Sequence, residues 1–146
     1  MGDAPASART LRKAQALRKR WPVAYEVDHR DEAIVSTYLA LALDAQGHNN
    51  EARQVLAPVL SYQRGLAARN HGDQQLWFEM ALALYAEALS DPPQRATLLQ
   101  QAVARLEAMP PQMQALRTVQ LWRGKIREAQ HTPVAAVRAN SPPQHG

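Results

Sequence analysis

Apolar and polar positions repeat one pattern twice along the chain. Residues 34–60 read IVSTYLALALDAQGHNNEARQVLAPVL, and residues 77–106 read WFEMALALYAEALSDPPQRATLLQQAVARL. In each, an apolar Ala- and Leu-rich stretch gives way to a short polar break, and a second stretch follows with small residues on its inner side. Apolar residues recurring at three- and four-residue spacing predict helices. Two such pairs predict helix-turn-helix units of the solenoid kind. Alternating β-branched or aromatic runs are nearly absent, so the fold class expected is all-α.

The same pattern extends to both sides. A first helix is expected over 8–20, with Leu11, Ala14, Leu17 and Trp21 on one stripe and Pro22 limiting it. A second starts within 24–33 and ends near Gln46, with Ile34, Tyr38, Leu41 and Ala45 on one stripe and Leu39 and Leu43 broadening it. Gly47 suits the position just past its end, and Asn49 suits the cap of the next helix. That third helix runs from about 50 to 67 or 68, with Ala52, Leu56, Val59 and Leu60 inward and Tyr62 and Leu66 beyond. Pro58 inside it implies a kink, or an end near Ala57 and a restart. RNHGD at 69–73 is a turn, with Asp73 capping a helix over 74–89. Asp91 followed by Pro92 signals another start. The fifth helix spans 93–108 with Ala96, Leu99, Val103 and Leu106 inward. The sixth spans 112–130 with Leu116, Val119, Leu121, Trp122 and Ile126 as its apolar set. The organisation expected is a flexible 1–6, a helical domain over 7–130 and a mostly flexible tail over 131–146, with one short helix possible at 133–139.

Residues 36–60 resemble a tetratricopeptide (TPR-like) repeat. Ala40 stands at the small position of the first helix, Leu39 and Leu43 at its large positions, Gly47 at the turn, and Glu51-Ala52 at the start of the second helix. In the second unit Trp77, Met80, Ala81 and Leu84 fit the first helix, and Ala96, Leu99 or Gln100, and Val103 fit the second. The repeat is degenerate: Ser36 and Trp77 lie 41 residues apart, and the second turn carries proline where glycine is usual. The resemblance implies antiparallel helical hairpins stacked as a short right-handed solenoid. It also implies protein binding in a concave groove lined by the first helix of each hairpin.

The 146 residues suffice for one domain of a few hairpins. Cysteine is absent, which excludes disulfides and thiol chemistry. The N-terminal segment lacks the apolar core of a signal peptide, and no apolar run is long enough for a membrane span. A cytoplasmic location is expected, for the chain alone or as a domain of a larger one. The net charge of +4 is unevenly spread. Residues 1–30 hold seven Arg/Lys against three acids, residues 31–108 five against nine, and residues 109–146 five against one. Basic ends around an acidic middle suit an acidic partner or end-to-middle self-association, or are simply solvated faces.

No residues are grouped for catalysis. The five histidines form no HxxxH or HExxH, and phosphate loops and nucleophile elbows are missing. Asp28-His29 with Asp31-Glu32 is the densest polar cluster and reads as a solvated helix start. Neither an enzyme, a cofactor nor a metal is expected. The function expected is a protein-interaction or scaffold module, binding a partner protein or a domain of its own parent chain, with Tyr38, Asp44, Glu79 and Arg123 as contact candidates. Trp77 and Trp122 are expected in the core. A rival is a nucleic-acid-associated regulator using a basic patch of Arg9, Arg12, Lys13, Arg18, Lys19 and Arg20. Another is a small-ligand sensor with a pocket in the groove.

Overall fold

Gly47 shows how tightly the first clear hairpin turns. Its φ is 80°, a left-handed value that favours glycine. Its N–H bonds the Asp44 carbonyl at 3.0 Å, and the His48 N–H bonds the Leu43 carbonyl at 2.9 Å. These two bonds make a Schellman ending, which satisfies carbonyls the helix leaves open. The computed structural model describes residues 4–19 and 26–132. Among the described residues every regular element is helical: α1 (Ala4–Lys19), α2 (Glu26–Ala45), α3 (Asn49–Arg69), α4 (Gln74–Ser90), a 3₁₀ turn (Pro92–Gln94), α5 (Arg95–Glu107), α6 (Pro111–Gln114) and α7 (Arg117–His131).

From α1 to α5 each helix packs on the next, and α5 packs on α7. In addition α2 touches α4, and α4 touches α7. The fold is therefore an all-α bundle in which α4 is the shared member. Its sequence explains that place. Leu76, Phe78, Met80, Ala81, Leu82, Ala83, Leu84, Ala86 and Ala88 are all buried, so α4 is apolar nearly all round. Asp73 starts it, its carboxylate accepting the Leu76 N–H at 3.0 Å.

Leucine and alanine share the core. Leu39, Leu43, Leu56, Leu66, Leu76, Leu99, Leu106 and Ile126 are fully enclosed, each contributing about 1.5–3 kcal/mol of apolar burial. Ala40, Ala52, Ala81, Ala83, Ala86, Ala88 and Ala102 have no exposed surface. Such small side chains let helix axes approach, which a chain with one Phe needs to fill its interior.

Several expectations are corrected. α1 begins at Ala4 rather than Ala8, with Pro5 in the first turn, where a missing N–H breaks no helix bond. Asn49 is the first residue of α3 and not its cap; His48 holds that place without a side-chain bond. α3 runs unbroken through Pro58, so the restart near Ala57 does not occur. Asp91 precedes a 3₁₀ turn and makes no side-chain cap, and α5 starts at Arg95. On α5, Ala96 is exposed and Leu98 takes the inward position. The sixth expected helix is two: α6 ends at Gln114, and Leu116 has an extended backbone (φ −64°, ψ 133°) before α7. That break turns Leu116 and Leu121 outward, at 49% and 57% exposure. The expected short helix at 133–139 lies outside the described residues, as do Trp21 and Pro22.

Candidate functional site

α2, α4 and α7 meet on one face, and charge ties the first two together. Arg30 on α2 donates to Asp73 Oδ2 at 2.9 Å, and to Glu79 Oε1 and Oε2 on α4 at 3.2 and 3.1 Å. Asp73 thereby does two jobs, capping α4 with one oxygen and holding Arg30 with the other. Glu79 is only 7% exposed. Burial raises its carboxyl above the usual range, and the Arg30 guanidinium and a bond from Gln75 oppose that rise.

Beside this network lies a cavity of about 70 Å³. Ile34, Thr37 and Tyr38 line it from α2, Gln63 from α3, and Phe78, Glu79 and Leu82 among others from α4. Gln63 is 1% exposed, and neither its amide nitrogen nor its oxygen has a hydrogen-bond partner. Thr37 uses its hydroxyl proton on the Ala33 carbonyl at 2.8 Å, leaving its oxygen free to accept.

An aromatic cluster adjoins the cavity through Tyr38. The Tyr38 and Trp122 ring centroids are 6.2 Å apart, and those of Tyr85 and Trp122 are 6.1 Å apart and edge-on. The three rings join α2, α7 and α4. The Lys125 ammonium sits 4.8 Å from the Trp122 ring centre, within cation–π range. Tyr38 remains 36% exposed, so this cluster has an open edge. Tyr85 is raised above its ordinary range by burial, with Arg95 opposing.

Asp44 lies near Tyr85, one helical turn short of the Gly47 ending. Both carboxylate oxygens are enclosed and without partners. Burial pushes the carboxyl up to about 8.

The four contact candidates thus have different fates. Tyr38 and Glu79 line one cavity. Glu79 and Asp44, expected as charges on an open groove, both have buried carboxylates. Arg123 is half-buried on α7. Trp122 and Trp77 are half-buried against the core, and the Arg105 guanidinium lies 5.9 Å from the Trp77 ring centre. In the basic patch Arg9 and Lys13 are exposed, while Arg12 pairs with Glu51. The side chains of Arg18 and Lys19, and all of Arg20, lie outside the described residues.

Sequence reasoning missed Gln63 and Arg30. For Gln63 a signal existed: it falls on the buried stripe of Leu56, Val59, Leu60 and Leu66, where an amide is out of place. Arg30 carried no comparable mark, since its partners are 43 and 49 residues away. Among the described residues no group of three or more His, Asp or Glu is placed to hold a metal ion, and no helix is long and apolar enough to cross a membrane. Compared with known proteins, the chain matches no protein family, no curated protein and no solved structure.

Proposed function

We propose that this chain is a protein-interaction module. It binds a partner protein, or a domain of its own parent chain, across the face made by α2, α4 and α7. The arrangement we favour is that of a short TPR-like right-handed solenoid, in which those helices line the groove. Packing of α2 on α4 and of α4 on α7 supports it, because first helices of successive hairpins touch in such a stack.

One observation carries the reading: the half-exposed Tyr38 stands against Trp122 and, through it, Tyr85, on three different helices. Aromatic anchors fixed by their neighbours lose little freedom on binding and dominate interface energies. Leu121, 57% exposed on α7, adds an apolar contact nearby in sequence. Lys125 on the Trp122 ring supplies a charge at the rim, where it sets orientation and encounter rate.

An aromatic photo-crosslinker, which keeps a ring at position 38, tests this in the native extract. A protein captured from position 38, and not from the exposed Gln100 on α5, is the expected result. Equal capture from both positions would remove the assignment to this face.

A further inference from the structure

The Gln63 cavity asks for a particular chemistry. Gln63 offers a donor and an acceptor side by side, and both are unmet. A cation would satisfy the oxygen and leave the N–H group unpaired. A carboxylate would satisfy the N–H group, leave the oxygen unpaired and stand beside Glu79. A group with a donor and an acceptor on one edge meets both at once, and exchanging the two ends of the Gln63 amide does not change that match. Water has both too, but Ile34, Phe78 and Leu82 line the same space and favour a group with a carbon body. The volume of about 70 Å³ suits a group of that size. Glu79 keeps acceptor capacity after its bonds from Arg30 and Gln75, which would take a second N–H.

We propose that this cavity seats one primary carboxamide, the side chain of an asparagine or glutamine presented by the partner. The inference rests on the reading of the α2, α4 and α7 face as a protein-binding face. Tyr38 links the two, since it belongs both to the cavity wall and to the aromatic cluster. An anchor residue would lie against the rings while the neighbouring amide enters beside Tyr38. The seat gives selectivity, because a site built to meet both hydrogen-bonding groups rejects an analogue that lacks one of them.

The test is an amide titration followed by NMR on the intact chain. Acetamide is expected to shift the backbone amide signals of Thr37, Tyr38 and Leu82, which line the cavity, saturably in the millimolar range. N,N-dimethylacetamide, methylammonium and acetate are expected to bind at least about tenfold more weakly, as each leaves a buried group unpaired. Gln63→Leu should abolish the acetamide response while its circular dichroism and Tm show an intact fold; Gln63→Met serves if leucine does not fit. Blocked glutamine, N-acetylated with a methylamide terminus, should bind at least as well as acetamide. Failure of acetamide to saturate, an equal response in Gln63→Leu, or a preference for methylammonium or acetate overturns the seat. Binding of acetamide with exclusion of blocked glutamine overturns the partner side chain as its source. These outcomes are separate from crosslinking at Tyr38, which can succeed while the amide seat fails.

Discussion

Tyr38 and Trp122 are 84 positions apart in sequence (122 minus 38), yet their ring centroids stand 6.2 Å apart and connect α2 to α7. Their roles separate on substitution. Tyr38→Ala loses one open-sided ring contact and should cost no more than about 1.5 kcal/mol of stability. The same change should weaken partner binding at least about tenfold, as for other central aromatic anchors. Trp122→Ala should lower stability more, because Trp122 also meets Tyr85 and packs on the core. Thermal melts of the two variants beside partner affinity check the split.

Arg30 faces two acids at once, one of them buried. Arg30→Met should destabilise the fold by about 2–4 kcal/mol, because it leaves the Glu79 carboxylate enclosed without a counter-charge. Adding Glu79→Gln should recover part of that loss, since the orphan charge is gone. Urea denaturation of the single and double variants gives the coupling energy directly. Near-additive losses would mean that the pair is not coupled.

Asp73 can be divided into cap and counter-ion. Asp73→Ala removes the bond to the Leu76 N–H and the pair with Arg30, and should cost about 1–2 kcal/mol. Asp73→Asn keeps a capping oxygen and should recover more than half of that cost. Hydrogen exchange at the first turn of α4 reports the cap locally.

Asp44 predicts a pH dependence with a definite sign. Its carboxyl is pushed from 3.8 up to about 8 in the folded chain, so the folded state holds a proton that the unfolded state releases. The contribution is unchanged below pH 3.8, falls as pH rises toward 8, and is level above it. The full loss is on the order of 2–4 kcal/mol once solvent relaxation is allowed for. Asp44→Asn should therefore flatten the decline between those limits and be more stable than the parent at pH 9 by a similar amount. Equal pH profiles for the two chains would contradict the buried carboxyl.

Much of the fold was legible because helix signals are local. Asp73 before an apolar run, Gly47 after one and the Ala and Leu stripes of 34–60 each describe a short segment, and the structure follows them. The errors came where backbone conformation competed with the stripe. Leu116 and Leu121 continue a helical pattern on paper, but the extended backbone at Leu116 re-phases α7 and faces them outward. The site was harder to read. Tyr38 could be placed as an aromatic on the first helix of a hairpin. The partners that bury Glu79 and the space beside Gln63 depend on contacts among α2, α3 and α4 that no local spacing encodes.

The central claim is that the α2, α4 and α7 face holds a protein. Crosslinking from position 38 at low and at high salt, beside a probe at Lys13 on α1, tests it most directly. One protein captured from position 38 at both salt concentrations, and lost when Trp122 is replaced by alanine, is the predicted result. Capture of nucleic acid from position 13 at low salt alone, with nothing captured from position 38, would contradict it and move the function to the basic first helix.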